Sequence, residues 1–169
     1  MVLENTDVDI CDAFEHIKAW AVVNKLTLNL QKTKEIVFRR PRVSHFHMPS
    51  AVNDIEQLNC VKLLGVLFQD NLRMNSHVHF LKSQCSQCTE ALEAAAASDN
   101  LRVVAYSLIV SCIVYALPVW GGFMSAELIG KVDAMFRHLK RFGYISYNLN
   151  FSDLIQNADE DLFHKMQRP

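Results

Sequence analysis

The chain has 169 residues, half of them hydrophobic, and carries 17 basic and 18 acidic side chains for a formal net charge of -1. This length and composition exclude a disordered tail and suffice for one compact domain, or for a small domain with a subdomain. The charge excludes a globally basic protein, so nucleic-acid binding would need local clusters of Lys and Arg. An odd set of five cysteines and an N-terminus without a secretory pattern predict reduced thiols in the cytoplasm or nucleus.

The N-terminal region has the pattern of an amphipathic helix. Apolar residues recur at helical spacing from Ile10 to Ala21, with charged residues on the opposite side. We therefore predict a helix that packs one face, exposes the other and ends near Asn24. The acidic residues at its start suit the positive end of a helix dipole, and we favour this explanation over metal binding. These acidic residues are Glu4, Asp7, Asp9 and Asp12.

Short β-strands are predicted after this helix. Residues 35–38 are rich in β-forming side chains, and residues 40–54 predict a loop because they hold Pro, Ser and His without periodicity. Residues 55–68 predict two strands that turn at Gly65. We therefore expect residues 1–70 to form a small antiparallel sheet with one flanking helix.

Helical patterns dominate residues 71–169, so the predicted fold class is α+β with a boundary near Asp70. The strongest pattern follows Ser125, which we predict to cap a helix with one buried apolar stripe. The last helix is predicted to bury Leu162 and Phe163 together with apolar residues nearer its start. The four predicted helices are residues 77–97, residues 101–115, the helix after Ser125, and residues 152–166.

The most apolar stretch of the sequence, residues 103–119, is only about as long as the shortest membrane-spanning helices, roughly 17 residues. It contains Tyr, Ser and Pro side chains. A buried core helix therefore explains it better than a membrane span, and we predict no membrane partner.

Four blocks of the sequence occur in a recognisable order. Residues 20–38 contain a helix ending in Trp, a Leu-x-Leu-Asn-x-x-Lys-Thr turn and a predicted strand. Residues 63–66 read Leu-Leu-Gly-Val, and residues 72–77 end in His but have Met74 where a Trp is usual in the family that they resemble. Residues 107–123 include Tyr-Ala-Leu-Pro-Val-Trp. Together these blocks resemble the reverse transcriptases of non-LTR retrotransposons (LINEs), in particular jockey, CR1 and L2-like elements.

The resemblance covers most of the chain and implies a distal palm at 1–70 followed by a thumb-like four-helix bundle at 71–169. The family is an RNA-directed DNA polymerase that acts on an RNA/DNA primer-template with Mg²⁺ ions held by palm aspartates. No Asp-Asp pair occurs in this sequence. We therefore expect a fragment without its fingers and central palm, which needs no cofactor and does not polymerise by itself.

The resemblance also implies nucleic-acid contacts within residues 1–70. Lys32 matches the family's turn lysine beside the incoming triphosphate, so without the metal ions it is a vestigial catalytic candidate. Gly65 resembles the primer grip, where glycine lets the backbone approach a phosphate, although an ordinary hairpin glycine is an equal alternative. Other basic residues either contact nucleic acid or solvate a strand edge. These are Lys34, Arg39 and Arg40.

Basic residues also recur along the predicted helix that follows Ser125. Lys131, His138 and Arg141 fall roughly on one side of it, opposite the apolar stripe. In a thumb this side would follow the backbone of a duplex, whereas in an ordinary helix it would simply face solvent. All three residues are therefore candidate nucleic-acid contacts.

Two His and two Cys lie close enough in sequence to suggest zinc, namely His77, His79, Cys85 and Cys88. Both cysteines fall within a predicted helix, where a structural zinc site normally needs a turn, so buried core cysteines are the favoured explanation and no metal is predicted. The sequence also lacks a phosphate-binding glycine-rich loop and the motifs of serine hydrolases and zinc proteases.

Two functions remain open at this point. The first is a reverse-transcriptase fragment that keeps contacts to nucleic acid, with the missing palm and fingers of the polymerase as its other partners. The second is a small helical protein-interaction module without nucleic-acid binding. An exposed apolar patch on the N-terminal helix would favour the second.

Overall fold

Helices and short strands make up the described part of the chain, which confirms the predicted α+β class. The computed structural model describes residues 9–39, 47–52, 54–94, 103–104 and 106–167. These residues form two compact units. Unit 1 comprises the described residues within Met1–Val61 and Gln69–Asn71, and unit 2 comprises those within Lys62–Phe68 and Leu72–Pro169.

Helix α1 spans Ile10–Val23 in unit 1, close to its predicted bounds. Asp9 caps its start with a carboxylate that accepts a hydrogen bond from the Cys11 N–H at 3.2 Å. Its extended backbone is typical of a residue in the N-cap position. The helix ends at Asn24, whose backbone N–H donates to the Trp20 carbonyl at 3.0 Å.

The apolar face of α1 is largely exposed, so the predicted packing of this face is wrong. Ile17 and Trp20 expose 51% and 60% of their surface, whereas Ala21 is buried. The described part of unit 1 buries few other apolar side chains, Val52 and Ile55 among them. So small a core cannot cover a helix of 14 residues.

Strands β1 (Lys34–Glu35) and β2 (Glu56–Gln57) form a two-stranded sheet in unit 1. They run parallel, so the predicted antiparallel sheet is wrong for this pair. The connection between them is long enough to return the chain in the same direction, as parallel pairing requires. The predicted strand at 35–38 is also shorter than expected, because the Arg39 N–H donates to the Asp70 carbonyl at 2.8 Å instead of joining the sheet.

Strands β3 (Cys60–Leu63) and β4 (Val66–Gln69) form a second two-stranded sheet. A two-residue turn joins them and therefore reverses the chain. Leu64 and Gly65 both have positive φ, at 46° and 88°, which matches the twist of a tight hairpin turn. The prediction of a strand pair that turns at Gly65 is confirmed.

Helices dominate unit 2. Among the described residues, no helix is long and apolar enough to cross a membrane. The helices are α2 (Asn75–Ala94), α3 (Ser111–Val114), α4 (Leu117–Trp120), α5 (Ala126–Arg141) and α6 (Phe151–Met166), with a π-helical turn at Tyr106–Val110 and a 3-10 turn at Gly121–Phe123.

The helix predicted at 101–115 is helical in the part that the structure describes, but it contains the π-helical turn Tyr106–Val110 directly before α3. The helix ends at its C-cap Tyr115, which has an extended ψ of 125°, and Ala116 follows with a left-handed φ of 52°. Pro118 follows and has no N–H to continue the hydrogen-bond ladder. The Trp120 indole N–H donates to the Tyr115 carbonyl at 2.9 Å and so satisfies a backbone acceptor beside the break.

One hydrophobic core runs through unit 2, and α5 contributes the stripe that its sequence predicts. Ser125 caps this helix, since its hydroxyl accepts a hydrogen bond from the Leu128 N–H at 3.3 Å. The buried side chains of α5 are Leu128, Val132, Phe136 and Leu139. The largest fully buried side chains of unit 2 also include Trp120, Phe151, Met74, Ile109, Ile113 and Leu117.

Helix α6 joins the core through its first turns only. Phe151 is buried, and its N–H donates to the Asp133 carboxylate of α5 at 2.9 Å. Further along the helix, Leu162 and Phe163 expose 45% and 59% of their surface. Their predicted burial is therefore wrong, because the final turns of α6 extend beyond the apolar surface of the core.

Candidate nucleic-acid interface

Two of the candidate lysines lie near each other in the sequence of unit 1 but in different environments. Lys32 lies in the turn before β1, where its N–H donates to the Asn29 side-chain oxygen at 3.1 Å and its own side chain is exposed. Lys34 lies in β1, and its ammonium forms a 2.5 Å salt bridge with Glu56 of the paired strand β2. Lys34 therefore has a structural role in joining two strands, besides any contact with nucleic acid.

Arg39 is held by a buried carboxylate. Its Nε lies 2.8 Å from Asp70 Oδ2, and Asp70 is only 6% exposed. A buried carboxylate requires a cation or several hydrogen-bond donors to offset its lost hydration. The guanidinium therefore supports the fold of unit 1. Arg40, the next candidate, lies outside the described residues.

Gly65 has a conformational reason to be glycine. Its φ of +88° is one that other residues rarely adopt, and a Cβ added there would lie 3.3 Å from the Tyr115 ring. The residue is exposed at the tip of the hairpin. Both the hairpin explanation and the close approach of a phosphate to the exposed backbone agree with this geometry.

The basic residues of α5 lie in two different places on the helix. Lys131 and His138 line a groove between α5 and α2, and Lys131 also forms a 2.7 Å salt bridge with Glu127 one turn earlier. Arg141 lies at the end of α5, where it is exposed together with Arg137. The structure therefore brings together Lys131 and His138, while Arg141 belongs to a separate cluster at the end of the helix.

The groove between α2 and α5 has a volume of about 270 Å³. Its apolar side chains include the buried Cys85 and Leu139. Its lining contains two lysines, one from each helix, and none of the described lining residues is Asp or Glu. The lining residues are Lys82, Cys85, Ser86, Thr89, Lys131, Ala134, Met135, His138 and Leu139.

The polar groups on the floor of the groove are satisfied internally. The Thr89 hydroxyl lies 3.0 Å from the Cys85 carbonyl and 2.8 Å from the Ser86 carbonyl, so its proton is used within α2. Burial raises the pKa of the Cys85 thiol to about 12, with smaller contributions from Cys112 and Cys88. The thiol is therefore neutral at physiological pH, which makes it a poor nucleophile.

His77 is a buried core residue that packs against Trp120. The ring centroids are 4.7 Å apart in an edge-to-face arrangement, and the imidazole Nδ1 accepts a 3.4 Å hydrogen bond from the Leu67 N–H. The other nitrogen, Nε2, has no hydrogen-bond partner among the described residues. Within the same part of the chain, no group of three or more His, Cys, Asp or Glu side chains is placed to hold a metal ion.

We expect the free energy of unfolding to decrease as the pH falls below about 6.5, the ordinary pKa of histidine. Burial, and secondarily the charge of Lys62, lower the pKa of His77 in the folded state. The unfolded chain therefore binds the proton more readily, so the stability contributed by neutral His77 is present above this pH and is lost below it. Urea unfolding at about pH 7.5 and about pH 5.5 measures the difference.

Replacing His77 with Phe should remove much of this pH dependence, because a ring remains in the core without a titratable group. His79→Gln, on the exposed side of α2, is the matched control and should retain it. Equal pH dependence in the wild type and His77→Phe would show that His77 is not its source.

Sequence reasoning missed Lys82, Ser86 and Thr89, which belong to the groove. These residues are spaced at i, i+4 and i+7, which places them on one side of a helix, and this spacing was the available signal. The three side chains form no cluster of charge, so the sequence alone did not identify them as a site. Comparison with known protein families, with curated proteins and with solved structures finds no match for this chain.

Proposed function

We propose that this chain is part of a reverse transcriptase of the non-LTR retrotransposon type, and that unit 2 binds the backbone of a primer-template duplex. In this proposal, unit 2 is the thumb-like helical bundle and unit 1 belongs to the distal palm. The observation that carries it is the basic cluster at the end of α5. The cluster consists of Arg137, Lys140 and Arg141, all exposed.

Charge and geometry both suit a phosphate backbone. The stretch from Arg137 to Arg141 contains no acidic residue. Lys140 donates a 2.7 Å hydrogen bond to the neutral Asn148 side chain and forms no salt bridge with any residue that the structure describes. Several cations on one short surface can replace the counterions of neighbouring phosphates, which is the main source of sequence-independent affinity. Basic residues at a helix end also complement the helix dipole, and that role is compatible with binding.

These residues alone are not proposed to catalyse polymerisation. The family joins nucleotides with divalent metal ions that are held by aspartates, and no Asp-Asp pair occurs in this sequence. Lys32 would assist phosphate chemistry only beside such metal ions. The proposed role of the chain is therefore to position a duplex.

Fluorescence anisotropy with a labelled RNA/DNA primer-template tests this role. We expect binding at low salt that weakens as salt is added. In the double variant Arg137→Gln/Arg141→Gln, the slope of log K against log salt should become shallower by about two, one for each lost phosphate contact. Both substitutions lie on exposed positions, so the fold should be retained.

Lys25→Gln/Lys165→Gln is the charge-matched control, since both lysines are exposed and lie outside the cluster. It should leave the slope close to that of the wild type. Equal losses in the two double variants would mean that net charge, and not the α5 cluster, determines binding. No binding at low salt would overturn the proposal.

The exposed face of α1 supports a second candidate function, a protein-interaction module. Ile17 and Trp20 present large apolar surfaces in unit 1, whose described residues form no extensive core. Such surfaces are typical of contacts with another protein or with another part of the same protein. Absence of duplex binding at low salt, together with stable self-association in sedimentation experiments, would favour this candidate.

A further inference from the structure

The groove between α2 and α5 has a different character from the basic cluster at the end of α5. Its lining runs from Lys82 to Thr89 on α2 and from Lys131 to Leu139 on α5. At 1.5 Å per residue, each wall is about 10 Å long. The volume of about 270 Å³ lies near the lower end of the range for small-molecule sites. A phosphate backbone that crosses a helix surface needs no such cavity.

The floor of the groove favours an apolar ligand body. Leu139 and Cys85 are buried beneath it, and Met135 contributes a flexible side chain that adapts its shape to a ligand. The Thr89 hydroxyl is already bonded within α2, and the Cys85 thiol is uncharged. The floor therefore leaves no polar group that a ligand would have to satisfy.

The lysines of the groove favour a ligand that carries a negative charge. Lys82 forms no salt bridge within the part of the chain that the structure describes. Lys131 binds Glu127 at 2.7 Å but has three N–H donors, so it can donate to a second acceptor as well. No described lining residue carries a negative charge that would repel an anion.

We propose that this groove is a binding site for a medium-chain carboxylate, with the hydrocarbon chain along Met135 and Leu139 and the carboxylate at a lysine of the lining, Lys82 or Lys131. The apolar floor contributes affinity by removing the chain from water. The lysines contribute selectivity for an anion through charge-assisted hydrogen bonds. This site is independent of the nucleic-acid contacts that are proposed at the end of α5.

Titration with decanoate, followed through the methionine methyl resonances in NMR spectra, tests the site. The Met135 methyl signal should shift in a saturable way, because this side chain lines the groove. Decanol and decyltrimethylammonium supply the same chain with a neutral or a positive head. Decanoate should bind about tenfold more tightly than decanol, and the cation should bind more weakly than either.

Two variants test the contributions of the lysines and of the apolar floor to binding separately. Lys82→Gln/Lys131→Gln should weaken decanoate binding by about tenfold and leave decanol binding unchanged. Ala134→Phe should weaken the binding of both ligands by filling the groove, and Ala134 is exposed enough to accept a larger side chain without disturbing the core. Arg137→Gln/Arg141→Gln is the charge-matched control and should bind decanoate as the wild type does.

Equal affinity for decanoate and decanol would overturn the proposed role of the lysines. Unchanged binding in Ala134→Phe, or Met135 shifts that never saturate, would overturn the site itself. Displacement of decanoate by a short oligonucleotide in the wild type would assign the groove to nucleic acid and also overturn the proposal. A loss of duplex binding in Arg137→Gln/Arg141→Gln concerns only the function proposed for α5, since that variant keeps the groove.

Discussion

Replacing Trp120 with Ala is expected to lower the free energy of unfolding by about 3–5 kcal/mol, the usual cost of removing a buried aromatic side chain. The residue is completely buried, with its ring 4.7 Å from His77 and 5.5 Å from Phe151. Truncation would open a cavity at the point where these two rings meet. It would also remove the indole N–H from the Tyr115 carbonyl. Urea denaturation monitored by far-UV circular dichroism measures the loss.

The other tryptophan provides a control for this prediction. Trp20 on α1 is 60% exposed, so Trp20→Ala should change stability by less than about 0.5 kcal/mol. Trp120→Phe should show an intermediate loss, because the smaller ring keeps much of the packing but has no N–H donor. Similar losses in Trp120→Ala and Trp20→Ala would contradict the central position of Trp120 in the core.

Gly121→Ala is expected to destabilise the protein by about 1–3 kcal/mol through overpacking. The backbone of Gly121 is right-handed helical, at φ -60° and ψ -38°, so Ala fits its conformation. The obstacle is space, since an added Cβ would lie 3.0 Å from Ile155 Cγ1 and 3.4 Å from Leu117 Cδ1. Denaturant unfolding measures the loss, and α4 and α6 would have to separate slightly to accommodate the methyl group.

Gly130→Ala is the matched control for Gly121→Ala. Gly130 lies on α5, and a Cβ there would meet no atom within 4 Å. The substitution should stabilise the helix by about 0.5–1 kcal/mol, the difference between Gly and Ala in a helix interior. In Gly121→Ala/Ile155→Ala, the loss should be smaller than the sum of the two single losses, because Ile155 no longer occupies the space. If the two losses in stability are additive, contact with Ile155 is not the source of the strain.

The secondary structure was predictable where residues close together in the sequence determine it. The strict apolar spacing of α5 and the Ser125 cap identified that helix, and Gly65 identified the hairpin. The break at Ala116 was not predictable from its own residue type, since Ala rarely adopts a left-handed conformation. The exposure of Phe163 was also hidden, because a periodic pattern shows which side of a helix is apolar and not how much of that side finds a partner.

The candidate site was predicted in part, for a similar reason. The spacing of α5 was enough to place Lys131 and His138 on one flank of that helix. Lys82 came from another helix, and its place in the same groove as Lys131 depends on how α2 packs against α5. Contacts between helices far apart in the sequence are set by the whole core. In unit 1, the role of Arg39 depended on the burial of Asp70, which the sequence did not reveal.

The two tryptophans have one further consequence. The sequence contains 2 tryptophans, and Trp20 lies in unit 1 whereas Trp120 lies in unit 2. An exposed indole emits at longer wavelength than one in an apolar interior. We therefore expect the fluorescence of Trp20 at longer wavelength than that of Trp120. Each unit therefore has its own intrinsic fluorophore. In Trp20→Phe, the emission of the remaining Trp120 follows the unfolding of unit 2 without an added dye.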